Sequence, residues 1–79
     1  MTEFENLKTN YVLTVQFGLV SNVGRQKAKH GNEILHLFCE GLIENSNYPD
    51  TTKEAMKHEL ELLKETLSKE IENHYNMGV

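Results

Sequence analysis

The absences in this 79-residue chain limit its structure first: it has one cysteine, one proline and no long apolar run. Because Cys39 has no second cysteine to pair with, the chain holds no internal disulfide, and no Cys/His spacing indicates a zinc site. We expect neither a membrane span nor a leader peptide, since no stretch of about 18 apolar residues and no charged-then-apolar start is present. We therefore predict a single cytoplasmic domain over residues 1–79.

The charge balance is acidic, with 12 Asp and Glu residues against 8 Lys and Arg residues and a formal net charge of −4. Such a chain is repelled by nucleic-acid phosphates and by anionic membranes. This charge and the lack of helix-turn-helix spacing argue against a DNA-binding regulator and against nucleic acid as a partner. A domain of this size buries only roughly 60% of its unfolded surface, so without disulfides or metals we expect a homo-oligomer.

The most regular segment is residues 51–75, whose apolar residues recur every three or four positions and so form one stripe along a helix. The stripe consists of Met56, Leu60, Leu63, Leu67, Ile71 and Tyr75. Thr51 and Glu54 have the spacing of a capping box at its start. Ala55 and Leu62 lie beside the stripe, which indicates that a second face is also covered and again points to self-association.

A second helix is predicted over about residues 26–44. Its main apolar line is Leu35, Phe38 and Leu42. The turn-rich residues 45–50 connect it to the segment 51–75, and short connections favour antiparallel neighbours, so the two apolar lines are expected to meet. Gly31 and Gly41 weaken this helix by roughly 1 kcal/mol each relative to alanine, and they would let another backbone approach closely.

The N-terminal third of the chain fits two structures. Residues 10–20 alternate between apolar and polar side chains, which favours a strand, but a lone strand needs a partner from a second copy. A helix is favoured because Phe4, Leu7, Tyr11 and Val15 have helical spacing. Thr2 and Glu5 are placed to cap that helix, and Phe17 is expected in the core. The predicted fold class is mostly α: an oligomeric antiparallel helical hairpin of about 26–44 and 51–75 with a short N-terminal helix or strand segment.

A cluster of basic residues interrupts the acidic background at the start of the second predicted helix. Arg25, Lys27, Lys29 and His30 crowd around its first turn, directly after Gly24. Exposed backbone N–H groups and the positive end of the helix dipole lie at the same place, which indicates an anion or phosphate site. The alternative is a solvated charge patch that balances an acidic molecule. No glycine-rich phosphate loop is present to decide between them.

No residue pattern points to catalysis or to a metal. Glu33 and His36 have the spacing of half of a di-metal carboxylate site, but the chain has no second Glu-x-x-His. Cys39 lies on an apolar flank without an adjacent base, which predicts a buried thiol. We therefore expect no enzymatic activity, no cofactor and no metal.

Three stretches resemble a known family. They are the basic opening of the second helix, QKAKHGNEILHLF, the proline-containing connection, NYPDTTKEA, and the Leu- and Glu-rich helix, HELELLKETL. Over roughly residues 25–71 the layout resembles the small phage-encoded sponge proteins that sequester cyclic nucleotide immune signals, the anti-CBASS and anti-Thoeris helical-hairpin group. The resemblance implies an oligomer of hairpins that holds phosphates with basic residues and bases with aromatic or apolar side chains at subunit junctions.

Two functions follow as hypotheses. By residue type and place, the resemblance implies phosphate contacts from Arg25, Lys27 and Lys29 and a stacking role for Tyr11, in a phage anti-defence sponge without catalysis. The alternative is a small acidic helical protein-interaction module, an inhibitor or adaptor of a host protein, which exposed glutamates would steer to a basic partner. Those glutamates are Glu54, Glu61, Glu65 and Glu72.

Overall fold

The computed structural model describes residues 2–76, and within this range the chain forms three α-helices and no strand. Helix α1 spans Glu3–Val20, α2 spans Arg25–Glu44 and α3 spans Asp50–Asn76. The mostly helical fold class is confirmed. The N-terminal element is longer than the short segment that the sequence predicts, because the helical pattern continues through all 18 residues of α1.

The sequence predicts a side-chain cap for both α1 and α3, and the structure has the one at α1. The Thr2 hydroxyl accepts a hydrogen bond from the Glu5 backbone N–H at 3.1 Å, which confirms the predicted cap of α1. In α3, the Lys53 backbone N–H donates to the Pro49 carbonyl at 2.9 Å. Thr51 therefore lies inside the first turn, and the prediction that it caps α3 is wrong.

Helices α2 and α3 pack along each other in opposite directions. Arg25 at the start of α2 forms an ion pair with Glu72 near the end of α3. Glu44 at the end of α2 forms an ion pair with Lys57 near the start of α3. One ion pair therefore lies at each end of the α2–α3 contact, as expected for antiparallel helices.

Helix α1 packs against both other helices. The chain reverses after α1 in a short turn, where Gly24 has a φ of 102°, a conformation that side chains other than glycine rarely adopt. Lys8, near the start of α1, lies 3.4 Å from Glu59 of α3. Val20, at the end of α1, lines the same depression as His74 of α3, so α1 and α3 run in the same direction.

The core lies between the helices and uses one face of each. The stripe predicted for α3 is confirmed, since Leu60, Leu67 and Ile71 are buried and its other members are partly buried. From the other two helices the buried residues are Phe4, Tyr11, Val15, Leu19, Ala28, Asn32, His36, Cys39 and Ile43. This arrangement leaves the opposite sides of α1 and α2 facing outward.

Helix α2 packs with a face that includes only Leu35 of the predicted apolar line, which is partly buried against the core. Phe38 is 61% exposed and Leu42 is also exposed, so neither belongs to the core. Phe17 of α1, expected in the core, is 73% exposed. The face of α2 that packs carries Asn32 and His36, whose polar atoms meet polar groups of other helices. A pattern of apolar residues alone assigns such polar positions to the surface, which is why the prediction chose the wrong face.

Candidate functional site

A groove between α1 and α3, the α1–α3 groove, runs along the outside of the core. Its first depression has a volume of about 550 Å³ and is lined by apolar side chains together with Lys8 and Glu59. Those apolar side chains are Val12, Leu13, Leu62 and Leu63. A second depression of about 460 Å³ continues it and is lined in part by Leu19, Val20 and Glu70. The groove therefore follows α1 from Lys8 to Val20.

The groove exposes apolar side chains that the core does not use. Leu13 and Leu62 are each more than half exposed, and Phe17 and Val20 add to the outward apolar stripe of α1. Leu13, Phe17 and Val20 are spaced by four and three residues, so they share one helical face. A contiguous exposed apolar surface of this kind is typical of a binding site.

A second apolar surface, the α2 outer face, lies on the side of α2 that points away from the core. It consists of Gly31, Ile34, Leu37, Phe38, Gly41 and Leu42. Its four large side chains are all exposed. It contains Phe38 and Leu42, two of the three residues of the apolar line that the sequence pattern assigned to the hairpin core.

The predicted basic cluster is divided between two sides of α2. Arg25 and Lys29 point toward α3, where the Arg25 Nη2 lies 2.8 Å and the Lys29 Nζ 3.1 Å from the Glu72 carboxylate. Hydrogen bonds from Lys29 and Arg25 lower the pKa of Glu72 below its ordinary value. Arg25 and Lys29 together can bind one oxyanion, and in this structure that oxyanion is the Glu72 carboxylate of the same molecule.

Lys27 and His30 lie away from that pair. Lys27 lines a small cleft of about 100 Å³ between α1 and α2, and His30 is exposed. The Gly24 backbone N–H, which could have served an anion, donates to the Tyr75 hydroxyl at 3.0 Å. The four basic residues therefore do not surround one pocket.

Tyr11 is a core residue. It is 2% exposed, and its hydroxyl donates to the side-chain oxygen and the backbone carbonyl of Asn32. Asn32 in turn donates through Nδ2 to the Lys64 carbonyl and the Ser68 hydroxyl, each at 3.1 Å. Burial, with smaller contributions from Cys39 and Glu61, raises the pKa of Tyr11. The ring lies inside the helix bundle in this fold, where a nucleotide base cannot stack on it.

His36 lies between two carboxylates at the α2–α3 contact. It is 4% exposed, with Nε2 3.2 Å from Glu61 Oε2 and Nδ1 3.8 Å from Glu40 Oε1. These three residues are the group within residues 2–76 that offers ligand atoms to a metal. The ligand atoms that these three residues offer lie within 4.8 Å of one another, with His36 buried, Glu40 half-buried and Glu61 exposed. Glu33, the predicted companion of His36, is exposed and outside the group.

Cys39 is buried at 2% exposure, and burial raises the pKa of its thiol. A protonated, enclosed thiol is a poor nucleophile. This placement agrees with the sequence prediction of a buried thiol.

Comparison with protein-family models, curated proteins and solved structures found no match to this chain. Within residues 2–76, no helix combines the length and the apolar character that crossing a membrane requires.

The sequence patterns did not predict that either apolar surface is exposed. Leu62 was recognised as part of a second covered face, but Leu13 and Phe17 were assigned to a strand pattern or to the core. The signal that could have identified them is that α1 has apolar residues on all sides, whereas a surface helix with one buried face needs only one stripe.

Proposed function

We propose that this chain is a non-enzymatic binding protein whose α1–α3 groove receives an amphipathic helix from a basic partner protein. The observation that supports the proposal is the groove itself, with its two successive depressions of about 550 and 460 Å³. Burial of Leu13 and Leu62 by a partner would remove exposed apolar surface that the monomer leaves in water.

The dimensions of the groove suit a helix. From Lys8 to Val20 the rise of α1 is roughly 18 Å at 1.5 Å per residue, which is about three turns. A helix of that length presents three anchor side chains at intervals of three or four residues, as helix-in-groove complexes do. A fourth helix lying between α1 and α3 would complete a four-helix arrangement.

The charges around the groove favour a basic partner. Glu59 and Glu70 line it together with one cation, Lys8, which lies 3.4 Å from Glu59. Glu65 is also exposed on α3, so acidic residues outnumber basic ones here. The formal net charge of −4 adds a long-range attraction for a positively charged protein. Two of the glutamates predicted to steer a partner have other roles, since Glu61 faces His36 and Glu72 binds Arg25 and Lys29.

A designed amphipathic peptide tests the groove. We expect a fluorescent helical peptide of leucine and lysine to bind the protein in an anisotropy titration and a matched leucine–glutamate peptide not to bind. Leu62→Glu should weaken binding of the lysine peptide at least tenfold because it places a charge in the apolar groove. The control Ala55→Glu adds the same charge on exposed α3 outside the groove and should retain binding. Equal loss, or no loss, in both variants would reject the groove as the site.

The cyclic nucleotide sponge is the second candidate, because Arg25 and Lys29 converge on a single carboxylate. A phosphate that displaces Glu72 would meet both cations. Sequestration of a phage-defence signal would then need no catalytic residue, and Tyr11 would have no part in it because it is buried.

Thermal-shift measurements with cyclic mononucleotides and dinucleotides distinguish this candidate from the first. A ligand that binds only the folded chain raises Tm in proportion to ln(1 + [L]/Kd). Glu72→Gln should enlarge the shift because it frees both cations, whereas Arg25→Gln with Lys29→Gln should abolish it. The control Lys69→Gln removes an exposed charge elsewhere on α3 and should leave it unchanged. If neither the wild-type protein nor Glu72→Gln shows a change in Tm with any of these nucleotides, the sponge function is rejected.

A further inference from the structure

The α2 outer face is both apolar and free of charge. At 100° per residue its six members cover an arc of about 140°. Along the chain, Lys27 and His30 come before the first residue of the face and Asn45 comes after the last one. The acidic residues Glu33 and Glu40 lie beside the face around the helix. All four large side chains of the face are exposed, so the monomer leaves it without cover.

The two glycines of the face have no role in the packing of the monomer. A Cβ built on Gly31 or Gly41 meets no atom within 4 Å, and neither has the positive φ that requires glycine. Glycine inside a helix lowers helix stability relative to alanine. Both positions instead leave space on the outside of α2 for side chains of another molecule.

Four of the six residues of the face form a pattern that reads the same in both directions. Gly31, Ile34, Phe38 and Gly41 are separated by three, four and three residues. A twofold interface is self-complementary, so that if one residue contacts a second, the second contacts the first on the other copy. Two antiparallel α2 helices related by an axis beside position 36 place Ile34 opposite Phe38 of the other copy, and Gly31 opposite Gly41.

We infer that two copies of this chain associate through their α2 outer faces, with the two α2 helices antiparallel. The site for each Phe38 is then formed by Gly31, Ile34 and Leu35 of the other copy. Gly31 and Leu35 also line the cleft of about 100 Å³ between α1 and α2, which gives the ring room. This is the knob-into-hole contact of paired helices.

Charge selects the antiparallel orientation. Lys27 has no ion-pair partner among the described residues, and it lies at the N-terminal edge of the face. A parallel pair would bring the two Lys27 side chains together and the two Glu44 side chains together. An antiparallel pair keeps the two Lys27 side chains apart and places each at the C-terminal end of the other copy's α2, where the helix dipole favours a cation.

This inference uses a different surface from the α1–α3 groove, so the two proposals succeed or fail independently. Sedimentation equilibrium of the full chain is expected to give twice the monomer mass of 9.1 kDa. Ile34→Lys and Phe38→Glu should each be monomeric, with a dimer Kd at least tenfold higher than that of the wild type. Leu62→Glu, in the groove, should still dimerise.

Mixing the two charged variants tests the orientation. In an antiparallel pair, a copy with Ile34→Lys opposes its lysine to the glutamate of a copy with Phe38→Glu, and the remaining Ile34 and Phe38 also meet. An equimolar mixture should therefore regain the dimer, which a parallel pair would not allow. A monomeric wild type, a dimer indifferent to both variants, or a mixture that stays monomeric would each overturn the inference. If circular dichroism shows that a charged variant has lost its helices, Phe38→Ala replaces that variant. Phe38→Ala is also expected to weaken the dimer tenfold.

Discussion

At the scale of single residues, Asn32 joins all three helices. It lies on α2, accepts from the Tyr11 hydroxyl of α1, and donates to the Lys64 carbonyl and the Ser68 hydroxyl of α3. These partners belong to α1 and α3, so this one side chain connects α2 to both of the other helices. Removing it leaves buried polar groups without partners, which costs more than the bonds themselves contribute.

Asn32→Ala should therefore lower the free energy of unfolding by about 2–3 kcal/mol in urea titrations. Tyr11→Phe removes only the hydroxyl and should cost about 1–2 kcal/mol. The double variant should be clearly less destabilised than the sum of the two, because the two side chains share one hydrogen bond. Additive effects, or an Asn32→Ala variant as stable as the wild type, would contradict the role given to this network.

Glu72 gives a prediction about pH. Its pKa is lowered in the folded state by Lys29 and Arg25, so the ion pairs contribute stability above the unfolded-state pKa of a glutamate, and this contribution is lost as pH falls through the lower folded-state value. An NMR titration should place the Glu72 pKa below that of an ordinary glutamate. Arg25→Gln with Lys29→Gln should return it to the ordinary value, and Lys69→Gln should not. An ordinary pKa in the wild type would show that the pairs do not persist in solution.

At the scale of elements, α2 combines a helix-weakening pair of glycines with an outward apolar face. Gly31→Ala with Gly41→Ala should raise the stability of the monomer by up to about 2 kcal/mol, because alanine favours the helix and each added methyl meets open space. The same change should weaken dimerisation, since the methyl groups fill the space that the other copy needs. The effect on stability is measured by denaturing the double alanine variant with Phe38→Glu added, which keeps the chain monomeric. The effect on dimerisation is measured by sedimentation of the double alanine variant without Phe38→Glu. A double alanine variant that dimerises as well as the wild type would remove the reason given for the glycines.

The elements differ in how far the sequence predicts them. The stripe of α3 and the Thr2 cap of α1 were predictable because both depend on residues within a few positions of each other. The packed face of α2 was not, because Asn32 and His36 are buried only through groups on α1 and α3. Helix α2 carries apolar residues on both faces, and the groups that Asn32 and His36 meet on the other helices accompany the face that packs inward.

At the scale of the whole molecule, the proposed self-association would make stability depend on concentration. A dimer binds folded chains and not unfolded ones, so dilution should lower the apparent Tm of the wild type. The Tm of Phe38→Glu should be the same at all concentrations. A calorimetric dilution series checks both, and a wild-type Tm that does not change over a hundredfold dilution would argue against a dimer that stabilises the fold.

The candidate sites also belong to this scale, and for that reason the sequence predicts them poorly. Arg25 and Glu72 are 47 positions apart, so no local pattern shows that an acidic residue occupies the space expected for a phosphate. The α1–α3 groove depends on how closely two helices approach when α2 lies between them in the chain. Residue types and spacing identified Arg25 and Lys29 only as members of a basic cluster, and only the fold shows that these two bind the same carboxylate.

The order of the helices has a consequence for the rate of folding. Each helix packs on the one that follows it, with short turns between them, so most contacts join residues that are near in the chain. Proteins with such local contacts fold in roughly microseconds to milliseconds. Newly made chains would spend little time unfolded, and the proposed dimer would then form from folded monomers.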